Sequence, residues 1–245
     1  MIYIYTDQSH SNAHAQIAVN DVFPDADVRF CTSSMIQQGC LDNTSLLIMP
    51  GGADLYYCEK LNGDGNKIIR DFVSNGGSYL GLCAGAYYGC SSLNWNMCEI
   101  AGSRELSLYE GCATGPVFDW IENSDSIYKG SWKSSVKIET NGSLSFQSLY
   151  DGGPVISEPI NNNSNVIARY TDLLDTPPAI IGGTFEEGRY VLSSPHIEKF
   201  GHLLSDGLYR LHNKSYAREL NVIKDLLPYE RHQKDFFKSV LERLL

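Results

Sequence analysis

Short apolar runs alternate with helical periodicities through the first half of the chain, the rhythm of a parallel sheet covered by helices. Ile2 to Tyr5 reads as a first strand, and residues 10 to 22 as a helix with Ala13, Ile17 and Ala18 near one face. Asp27 to Cys31 is a second strand. Leu46 to Met49 is a third, apolar at consecutive positions as expected of a strand buried on both faces, and the breakers Pro50-Gly51-Gly52 end it. Asn66 to Ser74 predicts a helix that buries Ile68, Ile69, Phe72 and Val73 and stops at Asn75-Gly76-Gly77. Ser78 to Leu82 is the fourth strand.

From about residue 95 to 190 the runs shorten and are separated by Gly, Asn, Ser and Pro, which points to antiparallel strands such as Val136 to Glu139 and Val166 to Tyr170. Asp172 to Pro178 reads as a turn, and Ala179 to Thr184 pairs with Gly188 to Ser193 as a hairpin. Beyond about residue 216, Leu220, Ile223, Leu226 and Leu227, then Phe236, Phe237, Val240, Leu241 and Leu244, recur at helical spacing, and Pro228 divides two helices. With no repeat or low-complexity linker, residues 1–245 read as one domain with a helical tail. The expected fold class is α/β, built on a mostly parallel sheet.

Composition narrows the function classes. The 245 residues are 42% hydrophobic, too rich in core-forming side chains for a disordered or fibrous chain. With 29 acidic against 19 basic residues the formal charge is −10, so neither nucleic acid nor an anionic membrane is an expected partner. No apolar run approaches the roughly 20 residues of a membrane span, and MIYIYTDQSH is unlike a secretory signal; a soluble cytoplasmic protein is expected. Seven cysteines without a C-x-x-C pair suggest reduced thiols rather than a zinc ribbon or disulfide framework. His10 and His14 are four apart and could share a helix face as a metal pair, but no third ligand accompanies them, so neither metal nor cofactor is expected.

The chemistry concentrates in three places. Gly81-Leu82-Cys83-Ala84-Gly85 follows a strand and precedes a helix, the thiol form of the nucleophile elbow. Its sharp turn needs glycine on both sides, and a helix amino end pointing at the sulfur favours thiolate. Seven cysteines and 22 glycines in 245 residues would give G-x-C-x-G by chance about 0.06 times. Near the other end, Pro195-His196-Ile197-Glu198 supplies a base for the thiol and a carboxylate for the base. In an extended segment, residues two apart project to one side roughly 6 to 7 Å from each other. Third, the amides of Ala84 and of Gly52 or Gly51, after the third strand, can form an oxyanion hole.

In this chain order the three elements resemble the class I glutamine amidotransferase-like superfamily. More closely, the chain resembles the amidotransferase-like domain at the amino terminus of biotin-protein ligases. That resemblance rests on Pro50-Gly51-Gly52-Ala53-Asp54-Leu55-Tyr56, Gly81 to Tyr88, Tyr150-Asp151-Gly152-Gly153 and Ser194 to Glu198. It implies a flavodoxin-like, doubly wound sheet, a Cys83-His196-Glu198 triad, and an oxyanion hole at Gly52 and Ala84. It also puts forward Gly51, Asp54, Tyr56, Tyr87, Tyr150 and Asp151 as substrate contacts. Tyr56, Tyr57, Tyr87 and Tyr88 either wall the pocket or pack the core. Glutamine-hydrolysing members usually carry Gln soon after the elbow; here Ala86-Tyr87-Tyr88 stands, so glutaminase activity is not expected. Nothing resembles the biotin-adenylate loop of a ligase, so biotin attachment is not expected either. Two readings follow: a cysteine hydrolase acting on a small amide or related carbonyl, with or without a partner enzyme, or a binding or regulatory module that kept the fold without turnover.

Overall fold

The computed structural model describes every residue except Gln8, His10, 97–99, 121–132 and 209–215. The first half runs β1 (Ile2–Tyr5), α1 (Asn12–Val22), β2 (Val28–Cys31), α2 (Ser33–Gln37), β3 (Leu46–Met49), α3 (Asp54–Leu61), α4 (Asp64–Ser74), β4 (Ser78–Leu82) and α5 (Ala84–Gly89). Short strands follow: β5 (Cys90–Trp95), β6 (Ile100–Ser103), β7 (Tyr109–Gly115), β8 (Lys133–Thr140), β9 (Ser145–Asp151), β10 (Val155–Ile156), β11 (Ser164–Tyr170), β12 (Pro178–Phe185) and β13 (Gly188–Ser193). The chain ends in α6 (Gly201–Leu208), α7 (Tyr216–Leu226) and α8 (Glu230–Leu244), and Pro228 sits in the 3-10 turn between the last two.

The α/β class holds. A nine-stranded sheet is ordered β2-β1-β3-β4-β13-β12-β11-β8-β9. The expectation of a mostly parallel sheet does not hold: β2 to β13 pair in parallel, and the four remaining neighbour pairs are antiparallel. The reason is connection length. Only two residues, Glu186 and Glu187, join β12 to β13, and so short a link closes an antiparallel hairpin but not a parallel crossover. The strands β10, β7, β5 and β6 form a second sheet of four rather than extending the first.

Alternation along the strands divides the core between the two faces of the parallel half. Tyr3 and Tyr5 of β1 face Tyr57, Leu61, Ile69 and Val73 of α3 and α4. Ile2 and Ile4 face Ala15, Ala18 and Val19 of α1 and Phe237, Val240 and Leu241 of α8. Each such side chain contributes about 1.5 to 3 kcal/mol by leaving water.

For function, the decisive feature is where the central strands stop. Met49 of β3 lies beside Gly81 of β4, and Ser193 of β13 beside Leu82, so three chain exits share one carboxyl edge. They are Pro50-Gly51-Gly52, Cys83, and the segment from Ser194 onward. Gly85 seals the first two together: a Cβ there would strike the Met49 carbonyl, and one on Gly81 would strike the carbonyl of Gly85. Gly85→Ala should therefore lower stability by about 1 to 3 kcal/mol, the usual penalty for forcing atoms into a packed site. Urea unfolding checks this, and a wild-type midpoint in the variant would contradict the close approach.

Candidate active site

Cys83 occupies the bend between β4 and α5 with φ 52° and ψ −101°, a conformation that side chains rarely adopt. Such strain costs about 1 to 3 kcal/mol and persists only where neighbours over-determine the backbone. Here they do. The Cys83 N–H donates to Ser193 O at 2.8 Å, and its carbonyl accepts from the N–H of Ala86 and of Tyr87 at 3.0 and 3.1 Å.

Cys83 is almost sealed, at 5% exposure, and its thiol donates to the Asp151 carbonyl at 3.6 Å. Burial pushes the thiol up to about 12; the Asp151 and Glu198 charges add to this, while the Lys199 ammonium and the Ala84 N–H oppose it. Desolvation thus outweighs the Ala84 N–H at the amino end of α5, so the thiol is raised where that helix end alone would lower it. Deprotonation requires a base.

His196 comes from the segment after β13. Its N–H donates to Leu149 O at 2.7 Å in an isolated antiparallel bridge to β9. Leu149 and Asp151 are two apart on that strand, so one strand touches both the imidazole-bearing residue and the Cys83 sulfur. The Lys199 N–H returns to the His196 carbonyl at 3.3 Å, closing a turn over residues 196–199. Glu198 therefore reaches the imidazole through a turn rather than from an extended segment.

His196 Nδ1 lies 2.6 Å from Glu198 Oε1, with the side chains 2% and 0% exposed. A carboxylate only accepts, so Nδ1 carries a proton, and in the neutral ring the lone pair lies on Nε2, the tautomer of a base. Burial alone would raise the Glu198 carboxyl; the charge and hydrogen bond of His196, helped by Lys199 and the backbone N–H of Glu198, outweigh it and hold the group below its ordinary value. The opposite edge of the ring faces the loop after β3. A Cβ on Gly51 would lie 2.6 Å from His196 Cε1 and 3.3 Å from Nε2. That close approach explains why glycine stands there, and it brings the third exit to the site. Next to it, the Gly52 amide makes no backbone hydrogen bond among the described residues, and neither does that of Ala84.

The candidate tyrosines mostly hold loops. Tyr57 donates to Pro50 O at 2.8 Å, Tyr87 to Gly152 O at 3.1 Å, and Tyr150 to Gly153 O at 2.9 Å while accepting from the Val117 N–H at 2.7 Å. Tyr88 is buried against Asn66. Tyr56 is 42% exposed. Asp54 is ion-paired with Arg104 at 2.6 Å. His10 lies outside the described residues; among those described, no three His, Cys, Asp or Glu cluster as metal ligands.

Two residues that sequence reasoning missed complete the arrangement. Gln233 of α8 is fully buried, and its Nε2 lies within 3.2 to 3.3 Å of the carbonyls of His196, Ile197 and Lys199. Three acceptors around one atom require the amide nitrogen there. Gln233 thus clamps the turn that carries His196 and Glu198. Its signal was a polar residue in the apolar stripe of Phe237, Val240 and Leu244. The second is Lys199, buried directly after Glu198.

A family profile described as biotin-protein ligase, N terminal, matches residues 2–245. An uncharacterized protein of Chlamydia muridarum is 33% identical over 208 residues, covering 83% of this chain and 78% of its own. A biotin–protein ligase of Schizosaccharomyces pombe is 33% identical over 164 residues, 64% of this chain, and the match spans 26% of the ligase. Among solved structures, a glutamine amidotransferase of Thermotoga maritima superposes with a TM-score of 0.60 at 12% identity, covering 99% of this chain and 96% of that one. At that identity the likeness shows the fold alone. No helix of the described residues is long and apolar enough to cross a membrane.

Replacing Cys83 separates strain from chemistry. Cys83→Gly should be more stable than Cys83→Ala, by up to about 2 kcal/mol, because only glycine relaxes at this φ; denaturant midpoints in the opposite order would refute the strain. Glu198 predicts an acid signature. Its folded-state value is depressed, so its stabilisation is complete above the unfolded value of about 4.3 and is lost as pH falls through the folded one. The stability gap between wild type and Glu198→Gln should therefore be widest near neutrality and shrink below about pH 4. A gap independent of pH would exclude an ionised Glu198.

Proposed function

The chain belongs to the biotin-protein ligase N-terminal domain family, and we propose that it is an amidotransferase-like cysteine hydrolase acting on a small amide or related carbonyl. The observation that carries this reading is the sealed His196–Glu198 pair at the strand edge where the backbone bends to display Cys83. We read the strand order β2-β1-β3-β4-β13 as flavodoxin-like, the order in which ligands lie beyond the carboxyl edge.

In this mechanism His196 Nε2 takes the proton of the Cys83 thiol as the sulfur attacks the carbonyl carbon. With the thiol held near 12, proton removal accompanies attack rather than preceding it. The new C–S bond leaves an oxyanion to the Ala84 and Gly52 amides. His196 returns its proton to the leaving nitrogen as the C–N bond breaks, and the resulting thioester is hydrolysed by water that His196 deprotonates in turn. Glu198 holds the tautomer and stabilises the imidazolium. The absence of Gln after the elbow argues for a substrate other than glutamine.

A second reading, a binding or regulatory module without turnover, is favoured by one observation: the Cys83 thiol bonds to the Asp151 carbonyl rather than to His196. Iodoacetamide at neutral pH separates the two. The hydrolase reading predicts that Cys83 is alkylated ahead of the other thiols and that His196→Ala slows it about 100-fold or more, the scale of general-base assistance. Reaction no faster than at Cys112, and unchanged in the variant, would favour the module. Ammonia release from a panel of amides reports turnover directly.

A further inference from the structure

A buried hydroxyl stands at the same strand edge outside the triad. β1 runs parallel beside β3, with Ile4 opposite Ile48, so the chain leaving β1 emerges next to Pro50-Gly51-Gly52. Ser11, the residue that opens α1, is 3% exposed. Its carbonyl accepts from the Ala15 N–H at 3.1 Å, which ties its backbone to the helix. A serine in this place ordinarily turns its side chain onto an amide of the first helical turn. Ser11 does not: it makes no side-chain capping bond, and the Ala13 N–H is taken by Asn12 Oδ1 at 2.9 Å. Among the described residues the Ser11 hydroxyl has no hydrogen-bond partner.

That hydroxyl is turned toward the base. A Cβ on Gly51 would lie 3.1 Å from Ser11 Oγ and 3.3 Å from His196 Nε2, so the hydroxyl and the lone-pair edge of the imidazole flank one face of Gly51. Nε2 has no partner among the described residues either, since the bond to Glu198 is made by Nδ1. Neither atom is among the fully sealed polar atoms that lack a partner, so each keeps an opening. Buried polar groups are costly to leave unbonded, and two of them left so at one edge are explained together by a small molecule that bonds to both. With its lone pair on Nε2 the ring only accepts, whereas a serine hydroxyl both donates and accepts. The molecule between them must therefore give a hydrogen to Nε2 and can give a second to Oγ. Water is the smallest that does so, and buried waters are held by two to four such partners.

We propose that Ser11 holds the water that discharges the acyl-enzyme, with Oγ accepting one O–H of the water while the other O–H is directed to His196 Nε2. The water oxygen bonds to the thioester carbonyl carbon as its proton passes to Nε2. The C–S bond then breaks, Nε2 returns the proton to the Cys83 sulfur, and the acyl group leaves as the free acid. Ser11 neither gains nor loses a proton; it fixes the direction of attack, and orientation of this kind is a large part of catalysis. The proposal deepens the hydrolase reading and rests on it for the thioester.

An activated ester with a small acyl group, p-nitrophenyl acetate, tests it, because the mass of the Cys83 peptide reports loading during the reaction and discharge after the excess ester is removed. Ser11→Ala should load Cys83 at close to the wild-type rate but keep the acetyl group about tenfold longer, a smaller loss than removal of the base itself would bring. Hydroxylamine, which cleaves thioesters without help from a base, should discharge both proteins alike. Ser11→Gly also lacks the hydroxyl yet starts a helix nearly as well as serine, so it should repeat the result. Because the hydroxyl caps nothing, the unfolding midpoint of Ser11→Ala should equal or exceed that of wild type; a marked fall would return Ser11 to an ordinary cap. Equal acetyl lifetimes in wild type and both variants, or discharge that is slowed for hydroxylamine as much as for water, overturns the proposal and leaves the hydrolase reading standing. A wild-type Cys83 that never acquires acetyl removes the hydrolase reading and the proposal with it.

Discussion

A carboxylate with no solvent exposure stays ionised only if something repays its lost hydration, and at Glu198 that is the imidazole of His196 at 2.6 Å. The remaining features of the site are arranged around this bond. It fixes the proton on Nδ1 and leaves Nε2 as the lone-pair edge, and Gly51 lacks a side chain so that the loop after β3 can lie against that edge. The turn over residues 196–199 creates the bond, and Gln233 holds the turn from a helix more than thirty residues away. Among the described residues Glu198 Oε2 has no hydrogen-bond partner, so the pair concentrates its interaction in one oxygen.

Cys83 obeys the opposite rule. Where Glu198 is kept charged, Cys83 is kept neutral, by burial and by nearby carboxylates. The thiol rests on the Asp151 carbonyl, and the strain of its bend is held by three backbone hydrogen bonds. A thiol kept neutral is a weaker nucleophile than its thiolate, so on the proposed mechanism its reactivity depends on a base that accepts the proton.

Much of this was legible in the chain itself. The runs Ile2 to Tyr5, Leu46 to Met49 and Ser78 to Leu82 are strands with those bounds, the hairpin ending at Ser193 forms, and Pro228 divides the last helices. Local rules suffice there, because apolar runs and breakers act within a few residues. The antiparallel strands around Val136 and Val166 and the β12–β13 hairpin were legible, but the order in which they extend the sheet and the separate sheet of β5, β6, β7 and β10 were not, since pairing partners are chosen across long separations. The candidate residues Cys83, His196, Gly51 and Gly52 lie at one edge, but the turn joining His196 to Glu198, the Asp151 carbonyl as thiol acceptor and the Gln233 clamp depend on tertiary contacts. Of the tyrosines suggested as pocket walls or substrate contacts, Tyr57, Tyr87 and Tyr150 use their hydroxyls to pin the loops after β3 and β9.

Nitrogen-15 NMR of the His196 ring tests the central bond most directly. In the resting protein at neutral pH the account predicts a proton on Nδ1, shielded from exchange by Glu198, and an unprotonated Nε2. In Glu198→Gln that tautomer should lose its dominance. A proton found on Nε2 with Nδ1 bare in the wild-type protein would contradict the account, because the ring could then accept nothing from Cys83.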